Sequence, residues 1–65
     1  MIQVNGDPLD WTPGLTVRGV IRAKNYKFPL LIVTIDGVRV ERSAFDATPV
    51  PDGAVVQVMH LLSGG

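Results

Sequence analysis

The sequence has no cysteine and only one histidine among its 65 residues. Without a thiol the chain cannot form a disulfide or supply a cysteine nucleophile, and secretion finds no support. One histidine and six scattered acidic residues offer no metal-ligand spacing. No Gly-x-Ser-x-Gly motif is present either, so a self-contained catalytic site is not expected. The histidine, His60, is predicted to be a polar residue at a strand end rather than a catalytic base.

Charge of one sign is also missing, because six basic and six acidic side chains cancel. A balanced charge gives no reason to expect nucleic acid as the main partner. No apolar run approaches the ~20 residues needed to cross a bilayer, and the first residues lack the basic-then-apolar pattern of a signal peptide. We therefore expect no nucleic acid, no membrane and a cytoplasmic location.

What the chain does contain is enough apolar sequence, 46% of its residues, for one small globular domain. Two dipeptides, Asn5-Gly6 and Asp36-Gly37, are strong signals for two-residue hairpin turns. The first predicts that a strand over Met1–Asn5 turns and returns through Leu9, Asp10 and Trp11. Pro8 indicates that this return strand lies at an edge or starts just beyond the proline.

A helix is predicted over Thr16–Lys24. The Thr16 hydroxyl is a suitable N-cap, and Asn25 is expected to end the helix. The apolar residues recur at spacings of three and four, as one helix face requires, with the Lys24 stem extending that face: Val17, Val20 and Ile21. Arg18, Arg22 and the charged end of Lys24 take the opposite face. With Lys27 they form a basic segment, which is either the solvated side of a helix or a docking patch.

Three further strands are predicted, over Leu30–Ile35, Val38–Val40 and Val55–Leu62. Phe45 is expected to anchor the segment before the last strand in the core. One helix and four or five strands in this order indicate an α+β fold in which the helix packs across a mixed sheet. In the last strand Gln57 fits poorly in a dry core, so Val56 and Val58 are predicted to face the helix.

That alternation leaves Met59 and Leu61 partly exposed, either as a small apolar docking surface or as cover for a sheet edge. The sequence then finishes with Ser63, Gly64 and Gly65, and we expect these residues to form a flexible tail. A Gly-Gly end arises by chance in roughly one chain in 200. It is either a frayed terminus or a thin segment that carries its terminal carboxylate into another protein's active site.

These features together resemble the ThiS/MoaD sulfur carriers, which are small β-grasp proteins related in fold to ubiquitin. The resemblance spans essentially the whole chain and rests on these motifs: Asn5-Gly6, Thr16-Val17, Ile35-Asp36-Gly37 with Val40 and Arg42, Asp52-Gly53, and Gly64-Gly65. Three positions depart from the thiamin-pathway branch, where Asn, Pro and Asp are common: Asp36, Glu41 and Ala54. The resemblance implies a β-grasp domain over residues 1–62 and a tail over 63–65, with strand one parallel to the last strand in the middle of the sheet.

The resemblance also implies a mechanism. An E1-like, ThiF-like enzyme uses ATP to adenylate the carboxylate of Gly65, and sulfur from a persulfide donor then displaces the nucleotide. The resulting thiocarboxylate passes its sulfur to a ThiG-like thiazole synthase. The chain itself binds no cofactor and is a co-substrate rather than an enzyme. The residues implied in partner binding are Gly64, Ser63, Leu62, Leu61 and Met59.

Other functions remain open at this point. If the chain belongs to the molybdopterin-synthase branch of the carriers, its sulfur goes to molybdopterin synthesis instead. Its short length favours the thiamin branch. A ubiquitin-like modifier uses the same activation chemistry and forms an isopeptide with lysines of target proteins. A plain interaction module would leave the tail without a role.

Overall fold

The computed structural model describes residues 1–26 and 30–60. Within these ranges one helix, α1, spans Val17–Ala23, and a short 3₁₀ turn spans Arg42–Ala44. The five strands are β1 (Ile2–Val4), β2 (Asp7–Leu9), β3 (Leu31–Ile35), β4 (Val38–Val40) and β5 (Val55–His60).

The five strands form one mixed sheet in the order β2-β1-β5-β3-β4. β5 lies in the middle, parallel to β1 and antiparallel to β3. The two hairpins, β1–β2 and β3–β4, therefore flank the last strand on opposite sides. This topology, with one helix across the sheet, confirms the predicted ubiquitin-like β-grasp fold and the central parallel pair.

Both hairpins turn through two residues with positive φ, as a type I′ turn requires. In the first turn Asn5 has a φ of 52° and Gly6 a φ of 85°. In the second, Asp36 has a φ of 49° and Gly37 again 85°. The Asn-Gly and Asp-Gly signals of the sequence thus predicted both turns correctly.

Helix α1 agrees with its prediction at both ends. The Thr16 hydroxyl accepts a hydrogen bond of 3.3 Å from the amide of Gly19, which satisfies one of the donors that a helix start leaves unpaired. At the other end Asn25 adopts a φ of 59° and its amide donates to Arg22, while the amide of Tyr26 donates to Ile21. This pair of bonds is the Schellman arrangement, so the helix ends where Asn25 enters the left-handed region.

The core lies between this helix and one face of the sheet. Its largest fully buried side chains come from the helix and the three central strands: Ile2, Val4, Val17, Val20, Val33 and Val56. Phe45 is only 2% exposed, which confirms its predicted role as a core anchor. Because these residues are almost all β-branched, they have few rotamers to lose on burial.

The predicted position of the second strand is wrong. β2 spans Asp7–Leu9 and includes Pro8, whereas Asp10 and Trp11 lie beyond it. The two-residue turn returns the chain at once, and Pro8 lies opposite Gln3, whose amide donates to Ala54 on its other side. Pro8 therefore faces no donor position in the ladder and is tolerated in this edge strand.

A pair of glycine-to-alanine variants tests the backbone of α1, at Gly19, and of the turn before it, at Gly14. Gly19→Ala should stabilise the protein by about 0.5 kcal/mol, because alanine favours the helix by up to ~1 kcal/mol and the new methyl only has to displace the flexible end of Leu15, 3.0 Å away. Gly14→Ala meets no atom within 4 Å, but its φ of 85° should cost about 1–2 kcal/mol. Urea denaturation of both variants measures the two changes, and a destabilised Gly19→Ala would contradict this account of Leu15.

Candidate functional site

The candidate site lies at the carboxyl end of β5, which leads to the predicted tail. Side chains of this strand alternate as the sequence indicated: Val56 and Val58 are buried, whereas Val55 and Gln57 are exposed on the open face of the sheet. Met59 lies on the same open face and is 54% exposed. The predicted exposure of Met59 is confirmed, whereas its predicted role in partner binding stays a prediction.

The other predicted site residues are Leu61, Leu62, Ser63, Gly64 and Gly65. They lie outside the described residues, so their predicted roles stay predictions. His60, the last described residue of β5, is exposed and pairs in register with Leu31 of β3. The sheet is thus continuous up to the last described residue of β5.

A groove of about 500 Å³ opens beside the end of β5, on the side of the β1–β2 turn and of the helix end. Its walls combine apolar and polar side chains: Asn5, Tyr26, Leu31, Val58, Met59 and His60. The groove belongs to the same region as the predicted docking residue Met59.

The side-chain amide of Asn5 connects three parts of the molecule at this groove. Its Oδ1 accepts a hydrogen bond of 2.8 Å from the amide of Val58, and its Nδ2 donates to the Val58 carbonyl at 3.0 Å. The same Nδ2 donates to the Tyr26 hydroxyl at 3.1 Å. These bonds join the first hairpin turn to the last strand and to Tyr26, in the segment that follows α1.

Sequence analysis assigned Asn5 only to a turn and assigned no role to Tyr26. The Asn-Gly pair indicates positive φ but carries no information about which distant strand the side chain will meet. The Schellman end of α1 places Tyr26 next to Asn5, and that geometry appears only when the helix has been packed on the sheet.

The corresponding turn residue of the second hairpin contacts the opposite end of β5. The Oδ1 of Asp36 accepts a hydrogen bond of 2.8 Å from the amide of Val55, and the Asp36 amide donates to the Val55 carbonyl at 2.8 Å. Each hairpin therefore uses its first turn residue to hold the central strand.

The basic segment is partly neutralised by acids from elsewhere in the fold. The Nε of Arg18 lies 2.9 Å from Asp46, and its guanidinium lies over the ring of Phe45. Lys24 Nζ lies 3.6 Å from Asp7. Partly exposed pairs of this kind contribute little stability. Lys27, the last member, lies outside the described residues.

Neither a metal centre nor a spanning helix is found where the structure is described. No three histidine or acidic side chains come together among residues 1–26 and 30–60 in a way that could hold an ion. Over the same residues, no helix has the length and apolar character to cross a bilayer.

The model of the ThiS family matches residues 2–65. The chain belongs to the ThiS family. Among solved structures it is similar to the crystal structure of a thiamine biosynthesis protein, ThiS, from Geobacter metallireducens. The two are 33% identical with a TM-score of 0.78, over 98% of this chain and 97% of that one. No curated protein sequence matches the chain.

Within this ThiS-family fold, the boundary between core and open face is expected to fall between two adjacent residues. Val58 is 8% exposed, so Val58→Ala should cost about 2 kcal/mol through lost burial and a residual cavity. Met59 is 54% exposed, so Met59→Ala should change the free energy of unfolding by less than about 0.5 kcal/mol. Urea denaturation of both variants tests the boundary, and equal losses would contradict the assignment of Met59 to the open face.

Proposed function

We propose that this chain is a sulfur carrier protein of thiamin biosynthesis, in which the carboxylate of Gly65 is adenylated and converted into a thiocarboxylate. The observation that carries the proposal is the ThiS family match, which runs from residue 2 through Gly64 and Gly65. The similar Geobacter metallireducens protein, itself a thiamine biosynthesis protein, supports the same pathway.

The proposed chemistry has three steps: adenylation, displacement of the nucleotide by sulfur, and release of the thiocarboxylate. The Gly65 carboxylate attacks the α-phosphorus of ATP, so that pyrophosphate leaves and an acyl adenylate forms. The terminal sulfur of a persulfide attacks the acyl carbon, the carbon–oxygen bond to AMP breaks, and an acyl disulfide results. A thiol then attacks the donor's sulfur, which releases the thiocarboxylate and leaves the donor and the thiol joined as a disulfide.

All of the thiols in this scheme belong to partner proteins, because the chain has no cysteine. An E1-like, ThiF-like enzyme would supply the nucleotide chemistry, and a ThiG-like thiazole synthase would receive the sulfur. The chain is then consumed and recharged as a co-substrate without a cofactor of its own. ATP-dependent charging is consistent with a cytoplasmic location.

The described part of the fold suits this role because it supplies a firm base and an accessible surface. β5 is paired on both sides and buries Val56 and Val58 against the helix side of the sheet. Met59 remains exposed next to the segment that leads to Gly65. We propose that the partner enzymes dock at Met59, Leu61 and Leu62 and receive Ser63–Gly65 in a narrow channel, where glycine permits close approach.

The central prediction is a change in mass at Gly65. Incubation with the adenylating enzyme of the same organism, ATP and a persulfide donor should raise the intact mass by the difference between one sulfur and one oxygen atom. Fragmentation should map the change to the C-terminal peptide. One residue added after Gly65 should abolish the gain, because the reacting carboxylate is displaced and small misplacements cost large factors in rate. Gly64→Leu should impair charging with the fold intact.

Each remaining function gives a different result in that experiment. For a protein modifier, the free chain would show no gain in mass, and a further fraction would be found linked to lysines of other proteins; that outcome would overturn the carrier proposal. Charging by the enzyme followed by transfer to a molybdopterin-synthase partner, but not to thiazole synthase, would move the chain to the other pathway. If the proper enzyme yields neither product, the chain is a plain interaction module.

A second prediction tests docking at Met59. Met59→Glu should raise the KM of the adenylating enzyme for this chain about tenfold, because a charge would be buried against the partner's apolar surface. Val38→Glu is the matched control: Val38 is 69% exposed on the edge strand β4, paired with Ile35 at the turn end of the hairpin. The control should change KM by less than about twofold. Equal changes in KM would exclude Met59 from the docking surface.

A further inference from the structure

We propose that Asn5 is a positioning residue, whose side-chain amide holds the end of β5 in the geometry from which Gly65 is presented to the activating enzyme. The inference rests on the proposed function and concerns the strand that leads to the reacting carboxylate. It assigns to Asn5 a second role beyond forming the first hairpin turn.

The first step is the way in which β1 stops short of the end of β5. The residue pairs between these strands are Gln3 with Val55 and Val4 with Val56, and the Asn5 amide donates to the Val56 carbonyl at 3.0 Å. At Asn5 the backbone enters its turn and leaves the sheet. The backbone of β1 therefore offers no partner to Val58, the next residue of β5 on that side.

The second step is that the Asn5 side chain replaces the missing backbone. Its amide oxygen accepts from the Val58 N–H and its amide nitrogen donates to the Val58 carbonyl, at 2.8 and 3.0 Å. A primary amide carries one acceptor and two donors, so it reproduces both bonds of a strand and retains one donor. That donor goes to the Tyr26 hydroxyl, 3.1 Å away, which fixes the rotation of the amide.

The third step concerns the residues beyond Val58. On the β3 side, pairing continues through Ile32 with Met59 and Leu31 with His60. On the β1 side, the side-chain amide of Asn5 binds β5 at Val58, two residues beyond the last backbone pair of Val4 with Val56. With both sides held at Val58, the strand keeps one direction as it approaches the tail segment. Five residues then lead from His60 to Gly65, a reach of at most about 17 Å.

The consequence for the reaction is a lower entropic cost of docking. An enzyme that binds Met59 and the residues after it in one extended conformation must restrict the backbone of those residues, and this restriction lowers the affinity. A strand end already fixed by Asn5 has less backbone freedom to lose. Asn5 should therefore act on KM, whereas kcat at saturation should be set by the enzyme's own contacts with the docked tail.

The molecule contains a matched control for this role. Asp36 occupies the same turn position of the second hairpin with a φ of 49°, and its side chain also bonds a backbone amide of β5, but at Val55, the opposite end of the strand. Glycine tolerates positive φ, so Asn5→Gly and Asp36→Gly both keep the turn and remove only a side-chain clamp. Both variants should have a lower free energy of unfolding in urea, but only Asn5→Gly should loosen the end of β5 that leads to Gly65.

The decisive experiment measures KM and kcat for adenylation of the wild-type chain and of the two glycine variants. Asn5→Gly should raise KM roughly tenfold, which corresponds to about 1.4 kcal/mol, and change kcat by less than about twofold. Asp36→Gly should leave both within about twofold. Amide hydrogen exchange in the free proteins should be faster at Val58, Met59 and His60 in Asn5→Gly only.

A second variant covers the case in which Asn5→Gly does not fold. Tyr26→Phe keeps the Asn5 side chain but removes the acceptor of one of its two N–H groups, so the amide is held less firmly against Val58. KM should therefore rise about threefold, and exchange at Val58 should accelerate. Equal KM values for the two glycine variants, or an unchanged KM in a folded Tyr26→Phe when Asn5→Gly is unfolded, would overturn the inference. Failure of the wild-type chain itself to be adenylated would instead overturn the proposed function.

Discussion

The parallel pairing of β1 with β5 is the interaction on which the rest of the structure depends, because it places the last strand in the middle of the sheet. Residues about fifty positions apart meet in it, for example Val4 and Val56. Closing so long a segment costs chain entropy, and a parallel pair needs a crossover between its strands. Helix α1 lies in that crossover, and burial of Val17, Val20 and Ile21 against the sheet offsets the cost.

A central last strand also suits the sulfur-carrier role that we propose. An edge strand would be paired on one side only, whereas β5 has a hairpin on each side. The core-facing residues Val56 and Val58 fix the strand to the domain, and the alternate residues stay on the open face. The fold thus separates core-facing from exposed side chains within a single strand.

Local chemistry made much of this predictable from the sequence. Thr16 and Asn25 bound the helix as expected, both type I′ turns are correct, and the spacing around Gln57 identified the buried face of β5. The second strand was predicted too far along the chain because of Pro8. Proline destabilises a strand only where the ladder needs its backbone N–H, and whether it does depends on the pairing of Pro8 with Gln3. The contacts of Asn5 with Val58 were not predictable, since a turn signal specifies φ and not the strand across which the side chain will lie.

The two turn residues also explain why this chain can depart from the family pattern at one turn and keep it at the other. Asp36 needs only an acceptor, because its side chain binds the Val55 N–H while its own backbone amide serves the Val55 carbonyl. An ionised carboxylate meets that need as well as an amide does. Asn5 must both accept from the Val58 N–H and donate to the Val58 carbonyl, with a further donor for Tyr26. An aspartate at position 5 would set a carboxylate oxygen against a carbonyl oxygen with no proton between them. Aspartate therefore suits the turn at the start of β5, whereas the turn near its end requires the amide.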